Sequence, residues 1–476
     1  MTRIDIVTIA TPSLGDRSYL ATDGQHAFVV DPQRDIDRVL AATATRGVTI
    51  SHVFETHIHN DYLTGGLALA RATGAAYHVN TADQVAFDRT GVTDGDLVPV
   101  GSMLVRVMAT PGHTFTHLAY ALEDDTGRVR AVFTGGSLLY GATGRTDLLG
   151  AEHAPALAAA QHASARRLAT LPGHAGVLPT HGFGSFCAAG PGRPAPDGST
   201  IAGERQHNPA LTQDLDSYVA GLLAGLDEFP AYYARMGPAN AAGPAPADLT
   251  PPAPVSAAGL SRRIQAGDWV ADLRHRLVFA AGHLPGSLSF EHGDNLVANL
   301  GWLLPPGTPL ILTGGDLEQV TRAQRDLARI GVQVASAAPG PPDGSLARYP
   351  VADFAGLAAV QHPVTVLDVR RRLEWAAGHI AGAVHIPLHH LPARLGDLPP
   401  GPLWVHCQAG YRASVAASLL HAAGRQVTAI DDEFGRAALA GLPVLAGPAR
   451  LASLGHHPQV RAAPLGRSRQ HDALRI

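Results

Sequence analysis

Thr56-His57-Ile58-His59-Asn60-Asp61-Tyr62 follows the apolar run Ile50-Ser51-His52-Val53-Phe54. Two histidines one residue apart, then a carboxylate, can converge on one cation from a tight loop. A strand end feeding that loop would hold the imidazoles in fixed directions. Imidazole nitrogen with carboxylate oxygen suits zinc or ferrous iron rather than calcium or magnesium. Two more turns carry histidine, Pro111-Gly112-His113-Thr114 and Pro179-Thr180-His181-Gly182. The competing reading is chance clustering, since the chain has 25 His. Three such turns, each placed to follow a strand, favour a metal scaffold.

At 476 residues the chain is too long for one ordinary domain. With 46% hydrophobic and 16% charged residues its composition is globular. Net charge is −4 and every fixed cation is arginine. No basic stripe points to nucleic acid, and no apolar run reaches the length of a membrane span. Met1 to Ile6 lacks the apolar core of a signal peptide, so a cytoplasmic location is expected. Cys187 and Cys407, far apart, read as thiols and not as a disulfide.

Alternating Ile4-Asp5-Ile6-Val7-Thr8-Ile9 opens as a strand, and Ala27-Phe28-Val29-Val30-Asp31-Pro32 is a buried strand ending in a turn. Residues 36–46 and 63–73 have helical spacing on either side of the strand that delivers the first histidine loop. Strand, ligand loop and helix alternate to about Cys187, which predicts sheets with helices on their outer faces.

Thr56-His57-Ile58-His59-Asn60-Asp61, Thr110-Pro111-Gly112-His113-Thr114, Phe133-Thr134-Gly135-Gly136 and Gly144-Arg145-Thr146-Asp147 resemble, in that order, the metallo-β-lactamase superfamily. They look most like its persulfide dioxygenase branch. The resemblance covers roughly 1–235 and implies an αββα sandwich with one metal at its edge, Fe(II) or alternatively Zn. It also implies His57 and His113 as ligands. Two positions depart from the pattern: Tyr62 stands where a histidine is usual, and Gly136 where a metal-binding aspartate is usual. Three outcomes stay open. His59 or Asp61 completes a remodelled site with His57 and His113; neutral histidines, His181 among them, bind zinc; or the domain survives as a scaffold. Arg145 reads as a clamp for a substrate carboxylate or as a structural partner of Asp147. Cys187 reads as a sulfur-handling thiol near the metal or as a small buried side chain.

Residues 214–229 have helical apolar spacing, and 236–254, rich in Pro and Ala, read as an interdomain linker. Beyond it the chain repeats itself. Val270-Ala271-Asp272-Leu273-Arg274 with Gly282-His283 corresponds to Val366-Leu367-Asp368-Val369-Arg370 with Gly378-His379. Each copy runs on to an apolar strand, a loop and a helix, so each is a small α/β domain on a parallel sheet. The pair, over roughly 255–345 and 350–447, resembles tandem rhodanese domains. Residues 448–476 read as a weakly ordered tail.

Only the second copy carries chemistry. Cys407-Gln408-Ala409-Gly410-Tyr411-Arg412 lies between the strand at Leu403 and a helix beginning near Ala413. Unpaired backbone N–H groups and the positive end of a helix dipole would stabilise negative charge on that sulfur, thiolate or persulfide. Gln408, Ala409, Gly410 and Tyr411 form the cradle, Cys407 accepts sulfur, and Arg412 assists. In the first copy Gly314 and Gln319 occupy the Cys and Arg positions, so no transfer is expected there. The whole resembles metallo-β-lactamase–rhodanese fusions of sulfide and persulfide metabolism. That implies a low-molecular-weight thiol persulfide, molecular oxygen, sulfite and thiosulfate as partners. A zinc-dependent thioester hydrolase or a non-catalytic scaffold beside Cys407 are the alternatives. Glutathione, coenzyme A, bacillithiol and mycothiol all remain open as the carrier, and a homo-oligomer is compatible with the sequence.

Overall fold

The computed structural model describes residues 3–190, 198–340 and 346–446. The expected tail lies outside them. Two six-stranded sheets form the N-terminal half. In the first, Asp5–Thr11, Asp16–Thr22 and His26–Val30 run antiparallel, and Thr49–Phe54, Ala76–Asn80 and Thr90–Val92 continue it in parallel. Parallel neighbours need crossovers, and the helices Asp37–Arg46 and Gly66–Thr73 supply them. The second sheet runs from Leu97–Val100 to Ser199–Thr200, antiparallel except where Val129–Gly135 meets Gly176–Pro179 across the helix Ala154–Leu168.

Tyr19, Phe28, Phe54, Tyr120 and Phe133 pack between the two sheets. Separate clusters bury the outer faces under the helices. The layers are therefore helix, sheet, sheet, helix, the sandwich expected from the sequence. Central strands such as His26–Val30 and Leu118–Glu123 are buried almost throughout, on both faces, which requires a layer on each side of the sheet.

The two later sheets are parallel and have one topology. Counted along the chain within each, the order is first, fifth, fourth, second, third, with Trp269–Asp272 matching Thr365–Asp368 and Leu310–Thr313 matching Leu403–His406. The repeated residues do repeated work. Arg274 grips the Asp272 carboxylate and donates to the Gly282 carbonyl at 2.9 Å. Arg370 grips Asp368 and donates to the Gly378 carbonyl at 2.7 Å. His283 and His379 each stack on an aromatic ring one turn earlier, Phe279 and Trp375.

The expected linker is not one throughout. A helix spans Tyr233–Ala242, with Pro238 inside it, and its buried Asn240 anchors the first histidine loop. Alanine is the strongest helix former, and tertiary contacts outweigh one proline here. The expected helix at 63–73 begins at Gly66, and that at 214–229 spans Leu215–Gly225 with Asp214 as its cap. The modules share one hydrophobic cluster, from Leu14 and Tyr62 through Phe279, Leu300 and Leu327 to Cys407 and Leu420. Beside it, buried Asp35 receives Arg329 at 2.7 Å and Arg325 at 3.3 Å from the first copy.

Candidate functional site

Three loops at the sheet edges bring His57, His113 and His181 together, with ligating atoms all within 4.8 Å of one another. Each ring is oriented through Nδ1. His57 Nδ1 lies 2.9 Å from Thr56 Oγ1, which donates its own proton to Asp31 at 2.7 Å. His113 Nδ1 donates to the Arg145 carbonyl at 2.7 Å, and its buried Nε2 has no hydrogen-bond partner among the described residues. His181 Nδ1 is 2.9 Å from Asp16 and 3.2 Å from Asp61. With Nδ1–H donated, Nε2 of His57 and His113 keep their lone pairs.

Nε2 of His181 faces Nε2 of His57 at 3.4 Å. Two lone pairs cannot face one another there without positive charge between or on them. Burial lowers the His181 pKa, but Asp61 and Asp16 override it and push the ring well above its ordinary value. Burial pushes His57 well below its ordinary value, and burial with His181 brings His113 down to about 3. Asp61 is held low because His181 overrides its burial, while burial and Asp61 raise Asp16 to about 7. A proton on His181 satisfies this arrangement, and a bound cation would replace it. The orphaned His113 Nε2 and the three-nitrogen set fit zinc or ferrous iron, with Asp16 and Asp61 orienting His181 from behind.

His59 takes another place. Its Nε2 lies 3.3 Å from both Asp31 and Glu55 and 3.0 Å from the Tyr62 hydroxyl. Burial opposes charge on it, but Asp31 and Glu55 push it up to about 9. His59 and Asp61 group with His181, and neither joins the set of His57 and His113, although the His59 ring lies 4.1 Å from that of His57. The structure also shows why a carboxylate is missing at Gly136. A Cβ there would come within 2.3 Å of His113 Cδ2, so the imidazole fills the space an aspartate would need.

The second candidate is the turn after Leu403–His406. Cys407 follows that strand and faces a cavity of about 270 Å³, lined by Trp302, Phe186, His389 and the loop itself. The following helix, Tyr411–Ala422, begins at Gly410 with no side chain capping it. Gly410 has φ 88°, and a Cβ there would meet Asp431 Oδ1 at 1.9 Å, so glycine is required for the turn to close. Gln408, Ala409 and Tyr411 line the cavity with Cys407. Arg412 lines it too, while its guanidinium forms a bidentate pair with Glu374 at 2.6 and 2.7 Å.

The sequence pattern of the metallo-beta-lactamase superfamily matches residues 16–181, and that of the rhodanese-like domain matches 353–434. This chain joins a metallo-beta-lactamase domain to a rhodanese-like domain. It is 38% identical over 110 residues to a hydroxyacylglutathione hydrolase of Rhodopseudomonas palustris, a match of 22% of this chain to 41% of that one. The chain thus spans about two fifths of that relative. It is 27% identical over 208 residues to the human mitochondrial persulfide dioxygenase ETHE1, covering 43% of this chain and 72% of that one. Among solved structures, a metallo-beta-lactamase from Staphylococcus aureus matches with TM-score 0.63 and 25% identity, over 71% of this chain and 99% of that one. No helix among the described residues is long and apolar enough to cross a membrane.

Within the metallo-beta-lactamase domain, Arg145 does not stand free as a carboxylate clamp. It holds Asp147 at 2.7 and 2.8 Å, the Phe186 carbonyl at 3.1 Å and the Asp227 carbonyl at 2.6 Å. Its donors tie the metal-side loops together. Cys187 is fully buried, and burial with the nearby Asp61 raises its thiol well above the ordinary range. That favours the small buried thiol over a sulfur carrier. Several contributors carry no signal in the histidine motifs. Asp31 braces two ligand loops at once, accepting from Thr56 N at 2.7 Å and from Thr180 Oγ1. Its φ of 50° is the single positive value among the described non-glycine residues. His117 accepts the Gly136 N–H at 2.9 Å through Nε2 and is thereby a structural histidine. Asn240 donates to the carbonyls of His59 and Tyr62, both at 2.8 Å, and accepts the Thr64 N–H at 2.9 Å.

Proposed function

We propose that the chain processes persulfides: the rhodanese-like domain transfers sulfur through a Cys407 persulfide, and the metallo-beta-lactamase domain is a metal-dependent persulfide dioxygenase. The observation that carries the transferase half is Cys407 at an uncapped helix start facing a cavity of about 270 Å³. The Cys407 thiolate attacks the outer sulfur of thiosulfate or a persulfide. The old S–S bond breaks, and sulfite or a thiolate leaves with its electron pair. The new sulfur's negative charge meets the free N–H groups of Gly410 and the first helical turn. An acceptor thiolate then attacks that sulfur, forming its own persulfide and returning Cys407 as thiolate. Glu374 holds Arg412 over the cavity, so its charge serves the incoming anion without collapsing onto the thiolate.

For the other half, His57, His113 and His181 would hold the metal, with Asp16 and Asp61 fixing His181 and Thr56 fixing His57. Iron bound by them supplies the redox chemistry with molecular oxygen that persulfide oxidation needs, and zinc supplies Lewis acidity for hydrolysis. The balanced reaction takes persulfide, oxygen and water to thiol, sulfite and two protons. The likeness to ETHE1 over 208 residues supports this reading. A second reading, zinc-dependent hydrolysis of a thioester, draws on the all-imidazole donor set and the hydroxyacylglutathione hydrolase likeness.

Oxygen consumption by iron-loaded protein given glutathione, coenzyme A, bacillithiol and mycothiol persulfides separates them. Uptake that disappears in His57→Ala supports the dioxygenase. Absence of uptake with every persulfide, together with thioester hydrolysis by the zinc form, would replace it with the hydrolase.

A further inference from the structure

At the edge of the Cys407 cavity, three side chains from two domains converge on one point. Glu228, just past the helix Leu215–Gly225, pairs one carboxylate oxygen with His389 Nε2 and places the other 2.9 Å from His390 Nε2. His389 and His390 sit side by side in the short 3₁₀ segment Leu388–Ala393 of the rhodanese-like domain. Their ligating atoms and the carboxylate all lie within 4.8 Å of one another.

The group is built, not merely gathered. Trp302, from the helix Leu296–Leu303 of the first copy, stacks on His389 at 4.2 Å and 17°. The stem of Glu228 is pinned as well: Arg372 donates to the Leu226 carbonyl at 2.7 Å and Arg145 to the Asp227 carbonyl at 2.6 Å. His390 and Glu228 are half exposed, at 46% and 43%, which leaves room for water ligands. Two imidazoles and one carboxylate, with open positions, match the donor set of borderline divalent cations.

We propose that Glu228, His389 and His390 form a second metal site, for zinc or a similar divalent cation, bridging the metallo-beta-lactamase and rhodanese-like domains. His389 also lines the Cys407 cavity, so the cation stands at the mouth of the sulfur-acceptor site. Binding there fastens the Glu228 segment to the 3₁₀ segment and fixes the rim through which sulfur donors and acceptors pass. The site is independent of which metal the N-terminal centre takes.

The test is zinc binding by the full chain, read as equivalents retained against a competing chelator, in a His57→Ala, His113→Ala background that disables the N-terminal centre. One retained equivalent is expected. Adding His390→Ala, or separately Glu228→Gln, should weaken it by at least about 100-fold, since each removes a direct ligand. Adding Cys407→Ser should leave it in place. Cobalt(II) should report the same pattern by its ligand-field absorption. Unchanged affinity after both His390→Ala and Glu228→Gln, no retained zinc in the background chain, or loss with Cys407→Ser would each overturn the site. None of these outcomes bears on the oxygen-uptake result.

Discussion

At the end of Leu310–Thr313 the chain turns through Gly314, Gly315 and Asp316; at the end of Leu403–His406 it turns through Cys407, Gln408, Ala409 and Gly410. The two turns stand at equivalent places in sheets of the same strand order, behind the same Asp–Arg–glycine brace. They differ in who satisfies the helix that follows. In the first copy Asp316 accepts the Gln319 N–H at 2.8 Å and Gln319 answers at 3.0 Å, a closed capping box. In the second no side chain caps the helix start. Arg412 and its partner Glu374 have become Gln319 and Val278 in the first copy, so charge and counter-charge are absent together. The two copies therefore share a fold and differ in whether the helix start is free to receive an anion.

The largest difference between the two turns is the sulfur itself. Cys407→Ser should lower thiosulfate:cyanide transfer by about 10³-fold or more, measured as thiocyanate formed, because serine cannot carry the persulfide. Full retention would end the assignment. The reverse change, Gly314→Cys, should gain no transfer and should cost about 2–3 kcal/mol by urea denaturation. Gly314 sits at φ 81°, and its Cβ would meet Asp272 Oδ1 at 2.0 Å. Ala409→Asp, which puts a carboxylate one residue before the Gly410 cap, should cut transfer about 10-fold, since that resident charge competes for the N–H groups. Asp316→Ala should cost about 1 kcal/mol of stability and leave thiocyanate formation unchanged.

The smallest effect is a pH slope. Burial would raise the Glu374 carboxyl, but Arg412 overrides it and lowers it to about 2. A depressed pKa contributes stability above the ordinary carboxylate value, and that contribution fades as pH falls from there toward about 2. Urea midpoints of the native chain should therefore fall more steeply below about pH 4.5 than those of Glu374→Gln. Parallel slopes would remove Glu374 as the holder of Arg412.

Much of this was legible in the residues. The repeat announced itself through Asp272, Arg274 and Gly282 against Asp368, Arg370 and Gly378, because the bonds they make span only a few residues. The Cys407 loop was legible for the same reason. Asn240 was not: its partners, His59, Tyr62 and Thr64, lie far back in the chain, and a stretch rich in Pro and Ala carries no sign of them. Asp16 and Glu228 were silent likewise, each defined by a histidine more than 100 residues away.

Residue order alone carried the helix-covered sheets, the duplicated α/β unit and the place of the Cys407 loop. These rest on periodicity and on contacts within one turn of backbone. Which histidines stand together emerged only in three dimensions. Ligand directions depend on three loops meeting at a sheet edge, and each ring's free nitrogen depends on a distant partner for the other. Nε2 of His181 meets Nε2 of His57, Nε2 of His59 turns to Asp31 and Glu55, and Asp61 stands beside Nδ1 of His181. Gly136 leaves the space that His113 fills.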